Sequence, residues 1–217
     1  MEFLRVVLII LGGGAAVILI MALISSFYHR QRNRARNSGR LSAREELKSF
    51  LLDNAYRKNV FSYLYFPVMN EGTVKTHHYQ RADEIVVTNG GVLILTVFDK
   101  SGRIDNDDGE VWVIIKDDDR SEIESPLVTA EKSKQAVHAV LKRAGYGKVP
   151  IYSSVIFTSD EAIPLSGDDD IIYMSELEKL LHDLGRQQVL GKIDQFYVSR
   201  AIKNAGMTRE KIRKNKL

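Results

Sequence analysis

The stretch Gly91-Val92-Leu93-Ile94-Leu95-Thr96-Val97-Phe98 decides the fold of this chain. It is a short run of apolar and β-branched residues with glycine before it and Lys100-Ser101-Gly102 after it, which predicts a strand. Asn89-Gly90 separates it from a second apolar run over residues 82–88. Because Asn-Gly between two such runs favours a tight turn, the sequence predicts an antiparallel hairpin.

The segments around this hairpin alternate between strand and helix patterns. Helical spacing or helix-start signals predict helices over residues 42–54, from Pro126 to just before Gly145, over 175–184 and over 192–204. Aromatic and β-branched runs predict strands over residues 59–69, 111–115 and 149–158. This order predicts an α/β domain over residues 42–184, with a central mixed sheet flanked by helices. Residues 185–217 are predicted as a C-terminal helix and basic tail.

The N-terminal segment has the composition of a membrane anchor. Residues 6–27 form an uncharged run of 22 residues, and a helix of that length spans roughly 33 Å, enough to cross a bilayer. The interpretation is an N-terminal transmembrane helix over residues 1–28, followed by a basic juxtamembrane linker over 29–41. Gly12 and Ala16 have the spacing that lets two membrane helices approach closely, so a homo-oligomer is one expectation.

Positive charge behind the anchor predicts its orientation. Five arginines follow the apolar run, whereas only Arg5 precedes it; the five are Arg30, Arg32, Arg34, Arg36 and Arg40. Positive charge stays cytoplasmic, so we expect the N-terminus outside the inner membrane and the domain in the cytosol. The same five arginines are candidates for contacts with anionic lipid or with nucleic acid.

The remaining charge weighs against strong nucleic-acid binding by the domain. Residues 1–44 carry seven Arg against one Glu, whereas residues 45–217 carry 24 Lys and Arg against 27 Asp and Glu. Such a mildly acidic domain lacks the overall charge that attracts phosphate backbones. The chain has no cysteine, which excludes disulfides and thiolate metal sites.

Five motifs in a fixed order carry a resemblance to a known family. They are Gln80-Arg81-Ala82-Asp83-Glu84-Ile85-Val86-Val87, the stretch from Gly91 to Phe98, Gly102-Arg103-Ile104, the isolated Trp112, and Ser125-Pro126-Leu127. In order and spacing this pattern resembles the nuclease-related domain, a branch of the PD-(D/E)-x-K nuclease superfamily. The resemblance covers residues 42–184 and implies a restriction-endonuclease-like fold. For intact members it also implies magnesium-dependent hydrolysis of DNA.

The departures from the family pattern fall on its catalytic residues. Asp83 stands at the family's metal-binding aspartate, but Thr96 and Phe98 replace the glutamate and lysine of Glu-x-Lys. The family's helix glutamate corresponds to Arg44, Glu45 or Glu46, and the helical spacing does not choose among them. By strand alternation we expect positions 96 and 98 to share a face, and Glu84 to point away from the face of Asp83. The resemblance implies that positions 96 and 98 lie on the same face as Asp83.

Two functions remain open from the sequence, beside a third interpretation as a scaffold subunit of a larger membrane assembly with no nucleic-acid contact. The first is an inactive nuclease-like domain without a cofactor, which binds a protein partner, a second copy of itself or, weakly, nucleic acid at the inner membrane face. The alternative is a membrane-tethered nuclease with a rearranged site. In that case Asp83 and Glu45 would hold magnesium, and Lys100, two residues beyond Phe98, would replace the catalytic lysine.

Overall fold

The computed structural model describes residues 42–55, 59–70, 73–107, 109–117, 119–159 and 161–214. From Ala43 onward these residues belong to one compact unit. The predicted anchor and the predicted arginine-rich linker lie outside these residues. Within the described part of the chain, no helix is long and apolar enough to cross a membrane.

Fourteen elements make up the described residues, and they include every helix and strand that the sequence predicts. In chain order they are α1 (Ala43–Asn54), β1 (Val60–Asn70), β2 (Thr73–Val87), β3 (Val92–Phe98), β4 (Gly102–Asp105), β5 (Val111–Lys116), β6 (Asp119–Glu124), α2 (Pro126–Arg143), β7 (Ile151–Phe157), β8 (Ala162–Pro164), β9 (Ile171–Tyr173), α3 (Leu177–Arg186), α4 (Lys192–Ala205) and α5 (Arg209–Lys214).

The central sheet is mixed, as predicted, and its strand order is β1-β2-β3-β7-β9. β1, β2 and β3 pair antiparallel, whereas β7 and β9 continue the sheet parallel to β3. Every residue of β3 is buried, because β3 is the middle strand and both faces of the sheet are covered. β2 begins at Thr73, well before the predicted start at residue 82, because its polar first half pairs with β1 in a long hairpin.

The predicted hairpin between β2 and β3 is present, and its turn requires glycine. The backbone N–H and side chain of Thr88 both bond to the carbonyl of Gly91, at 2.8 and 3.1 Å. Gly91 has a φ of 143°, and a Cβ there would lie 2.4 Å from the carbonyl oxygen of Pro150. A side chain at this position would therefore separate β3 from the loop that leads into β7.

Two apolar cores lie on the two faces of the central sheet. The α1-side core joins β2, β3 and β7 to α1 and α3 through residues such as Leu47, Leu93 and Leu181. The α2-side core joins the other face to α2 and α4 through residues such as Ile94, Val137 and Ile202. Which core a strand residue enters therefore identifies the face to which it points.

A second, smaller sheet extends the domain beyond the carboxyl end of β3. Its strand order is β6-β5-β4-β8, and only β5 was predicted from the sequence. The other three strands are short or polar, so their sequences carry no strong alternation. This sheet packs on the central sheet through an aromatic core that contains Phe98, Trp112 and Phe157.

Candidate functional site

Strand alternation shifts by one residue in the middle of the β1–β2 hairpin. Phe61 and Leu64 are three residues apart, yet both pack in the α2-side core, and the same is true of Ala82 and Ile85. The two intervening residues of each strand therefore face the α1 side together. Tyr63 absorbs the shift with a φ of 54°, a left-handed conformation that is uncommon for a non-glycine residue.

The shift places the carboxylate of Asp83 on the α1 side, where it is almost fully buried at 4% exposure. Its Oδ2 accepts a hydrogen bond of 3.0 Å from the backbone N–H of Val97. Its Oδ1 lies 2.7 Å from Nε of Arg81, on the same strand. The aspartate that the family uses as a metal ligand thus holds β2 to β3 and is paired with a guanidinium group.

A second arginine approaches the same carboxylate from α1. Nε of Arg44 lies 2.9 Å from Oδ2 of Asp99, the residue that follows β3. Burial lowers the pKa of Arg44, but the charges of Asp99 and Asp83 outweigh burial and raise it above its ordinary value. Burial raises the pKa of the Tyr63 phenol, and the Glu84 charge adds to the rise, whereas Arg44 opposes it. Arg44, Tyr63, Asp83 and Asp99 thus form one electrostatic cluster.

Glu84 also faces this side of the sheet, which corrects the expectation that it points away from Asp83. Its Oε2 accepts a hydrogen bond of 2.6 Å from the hydroxyl of Ser62, its partner on β1. Burial raises the pKa of Glu84 to about 7, with a smaller contribution from Asp83, while Ser62 and Lys48 lower it. Two neighbouring carboxylates therefore share a face because the alternation shifts between them.

Thr96 and Phe98 lie on the other face, which corrects the expectation that they share a face with Asp83. β3 alternates regularly: Ile94 enters the α2-side core, whereas Leu95 and Val97 enter the α1-side core. Thr96 is 6% exposed and is paired with Val155 of β7. The two replaced positions are therefore separated from Asp83 by the thickness of the sheet.

Phe98 is a structural part of the aromatic core. It is 3% exposed, stacks on Phe157 with a centroid distance of 4.8 Å, and meets Trp112 edge-on at 5.8 Å. Phe157 in turn contacts Tyr173 edge-on at 5.6 Å. Such pairs are worth roughly 0.5–1.5 kcal/mol each beyond the area they bury. Phe98, at the position of the family's lysine, therefore packs the central sheet against the smaller sheet.

The remaining candidates do not converge on Asp83. Lys100 is exposed and lies two residues beyond the end of β3, and the side chain of Glu45 is exposed on α1. Of the three helix residues considered, Arg44 has a charge interaction with Asp83. Among the described residues, no three Asp, Glu or His side chains form a group that could hold a metal ion.

An open pocket of about 290 Å³ lies elsewhere, beside the first turns of α2. Its lining includes Leu127 and Glu131 of α2, Ser153 of β7 and Asp170. None of the residues that match the family's catalytic pattern lines this pocket.

Sequence reasoning missed two members of the cluster, Tyr63 and Asp99, and it missed Arg81, which is paired with Asp83. Arg81 precedes Asp83 by two residues, so strand spacing alone placed it on the same face, and this signal was available. Asp99 lies just past the end of β3. It is two residues from Val97, so alternation places its carboxylate on the α1 side, where Val97 also lies. The left-handed backbone of Tyr63 has no counterpart in the sequence, because tyrosine carries no preference for positive φ.

A mixed α/β sheet with an aspartate at the junction of β2 and β3 is the arrangement expected for a nuclease-like domain. Comparison with protein families bears this out: the nuclease-related domain (NERD), of the PD-(D/E)xK type, matches residues 35–158. The match spans more than half of the chain, so the protein belongs to the nuclease-related domain family. Comparisons with curated proteins and with solved structures gave no match.

We predict that restoring the family's motif, Thr96→Glu with Phe98→Lys, prevents folding. Truncation of a buried phenylalanine alone costs about 3–5 kcal/mol, and two unpartnered charges in a closed core add to this cost. Urea unfolding of the full-length chain in mild detergent, followed by fluorescence of its single tryptophan next to Phe98, measures the effect.

Two variants serve as controls for this prediction. Ile163→Lys also introduces a lysine, but at a position that is 56% exposed, so it should leave stability almost unchanged. Phe98→Leu keeps an apolar side chain and should cost clearly less than the double change. A folded double variant with wild-type stability would show instead that positions 96 and 98 border an open cleft.

We also predict that Glu84 makes stability depend on pH. Its pKa is about 7 in the folded protein against 4.5 for a free glutamate, so the folded state binds the proton more tightly. Stability should therefore fall as pH rises from about 4.5 to about 7, by about 3 kcal/mol, and then level off. Urea midpoints of the wild type between pH 5 and pH 8 measure this loss.

Glu84→Gln should remove this pH dependence and make the protein more stable than wild type at pH 8. Exposed Glu122→Gln is the matched control and should follow the wild-type profile. Parallel profiles for wild type and Glu84→Gln would contradict the prediction.

Proposed function

We propose that this protein is a membrane-tethered, cytosol-facing nuclease-like domain that acts as a binding or scaffold module and does not cleave DNA. The observation that carries the proposal is the pairing of Asp83 with Arg81 and with the Val97 N–H. A carboxylate that is already compensated in this way is a poor ligand for a hard divalent ion, which prefers several free oxygens.

The chemistry of phosphodiester hydrolysis supports the same proposal. A bound divalent ion polarises the phosphate and activates water, and this requires two or more carboxylates around one position. Here the neutral Thr96 stands at the second carboxylate position, and the arginine Arg44 extends from α1 towards Asp83. Arginine supplies positive charge of its own, so the cluster is neutralised without a metal ion.

The tether is proposed from the sequence. The apolar run over residues 6–27 has the length of a bilayer span, and the five arginines behind it favour a cytosolic position of the domain. A domain held in this way meets ligands only within reach of the inner membrane face. A protein partner or a second copy of the chain is therefore favoured over diffuse binding to nucleic acid.

We predict no cleavage of single-stranded or duplex DNA by the purified full-length protein in magnesium or manganese. The rearranged-site alternative makes the opposite prediction, since it assigns the catalytic amine to Lys100. Lys100→Ala is the informative variant, because Lys100 is exposed and its loss should not disturb folding.

Release of labelled oligonucleotide, compared between wild type and Lys100→Ala prepared in parallel, measures this prediction. Equal trace cleavage by both proteins identifies a contaminating nuclease. Cleavage by the wild type that Lys100→Ala abolishes would contradict the proposal and establish the alternative.

We predict that a reporter fused after Leu217 behaves as a cytosolic protein. Alkaline phosphatase, which is active only outside the cytosol, should be silent there, whereas a cytosolic fluorescent protein should be bright. Replacing the five arginines between residues 30 and 40 by serine is the matched change, because it removes the charge that determines orientation. Strong phosphatase activity of the unaltered chain would reverse the topology.

A further inference from the structure

Helix α4 presents large apolar side chains to solvent on its outer face. Ile193 is 73% exposed, Phe196 57% and Tyr197 46%, and Val189, just before the helix, is 52% exposed. The rings of Phe196 and Tyr197 pack edge-on with centroids 5.4 Å apart. The opposite side of α4 is fully engaged, because Val198 and Ile202 lie in the α2-side core. The exposed side chains therefore form a second apolar face that this domain does not cover, hereafter the α4 face.

Exposed basic residues surround the α4 face. Lys192, Arg200 and Lys203 lie on the same exposed arc of the helix, and α5 continues the positive charge. Residues 192–214 carry seven Lys and Arg against two acids, whereas residues 45–191 carry 16 against 25. One of the two acids, Asp194, accepts a hydrogen bond of 3.1 Å from the N–H of Gly191. Positive charge is thus concentrated on the C-terminal helices of an otherwise acidic domain.

This surface lies outside the part of the chain that matches the nuclease-related domain, which ends at residue 158. It is an addition of the C-terminal segment. Neither the Asp83 cluster nor the aromatic core includes any of its residues. A function of the α4 face is therefore independent of whether the nuclease-like site has any activity.

We propose that the α4 face docks on an anionic lipid surface, with its apolar side chains in the interfacial region and its basic side chains on the head groups. A helix with exposed aromatic and aliphatic residues flanked by lysine and arginine matches the surface of such a bilayer. The inference rests on the proposed tether, which keeps the domain next to a membrane. Residues 28–42 span up to about 50 Å when extended, so the linker is long enough for either face of the domain to reach the bilayer.

Lipid is favoured over nucleic acid by the kind of side chain that is exposed. Nucleic acid is bound by cations and stacking aromatics, but an isoleucine that is 73% exposed and a valine that is 52% exposed contribute nothing to base stacking. Both residues gain from insertion among acyl chains. The acidic remainder of the domain repels either polyanion, and for a membrane the apolar side chains add an attraction that nucleic acid does not offer.

The test uses the full-length chain, which has no cysteine and so accepts a single label. The Ile193→Cys chain is labelled with bimane, a fluorophore sensitive to its environment. It is reconstituted in vesicles of phosphatidylcholine alone or mixed with phosphatidylglycerol, whose acyl chains carry a nitroxide quencher. Ile163→Cys, an equally apolar position on β8 that is 56% exposed, is the matched control. We expect blue-shifted, strongly quenched fluorescence at residue 193 in the anionic vesicles and several-fold less quenching at residue 163.

Charge reversal tests the basic side chains. In the Ile193→Cys chain, Arg200→Glu with Lys203→Glu should lower the ratio of docked to undocked domain at least about tenfold. Arg103→Glu with Arg120→Glu changes the net charge equally at exposed positions of the small sheet and should leave quenching unchanged. High salt should weaken docking, since exposed charges are screened.

Four results would overturn the proposal. The first is equal quenching at residues 193 and 163, and the second is equal loss of quenching in both charge-reversal pairs. The third is that duplex DNA, and not lipid, shields the label at residue 193. The fourth is that a second copy of the chain shields that label in lipid-free detergent. Carbonate washing of the vesicles tests the tether separately. If carbonate removes the protein from the vesicles although its label at residue 193 was quenched, the tether alone is refuted. If the protein resists carbonate but its label is not quenched, docking alone is refuted.

Discussion

The hydrogen bond from the Val97 N–H to Asp83 is the interaction on which the rest of the site depends. The β2–β3 ladder runs from the pair Val87 and Val92 to the pair Glu84 and Leu95, so Asp83 is the first residue of β2 beyond its end. Where backbone pairing stops, a side chain satisfies the next buried N–H of β3, and an unsatisfied one would cost about 1–3 kcal/mol. An aspartate inherited as a metal ligand can thus be retained for folding alone, because its removal would leave Val97 and Arg81 without partners.

Burying that carboxylate requires compensation, and the two arginines provide it. Arg81 is 44% exposed and lies beside the buried Asp83, whereas Arg44 is 33% exposed and lies beside Asp99, which is 39% exposed. Such half-exposed pairs contribute little net stability, but they offset the desolvation of Asp83. Tyr63 belongs to the same arrangement. Its backbone is left-handed, and its phenol has charge interactions with both Arg44 and Asp83.

The sequence predicts the frame of the fold well because that frame depends on local signals. The Asn-Gly turn, the continuous apolar run of β3 and the Pro126 start of α2 are each explained by backbone preferences of the residues present. The site was predicted less well because alternation was assumed to continue through residues 62–63 and 83–84. One shift there moved Asp83 and Glu84 to a common face and separated Asp83 from Thr96 and Phe98. Such a shift arises from the pairing of two strands, so the residue pattern of one strand does not reveal it.

Sequence patterns also do not predict which side of a helix is exposed, and the α4 face is an example. Residues 192–204 were predicted as a helix, and the prediction is confirmed, but helical spacing alone does not say which of two apolar sides is buried. Val198 and Ile202 occupy the core, so Ile193 and Phe196 are left outside because a helix can bury only one side against one sheet. The exposed side is the costly one for a freely diffusing protein, since apolar area in water favours association. Docking on an anionic bilayer, as proposed above, would bury the same area and turn that cost into a gain.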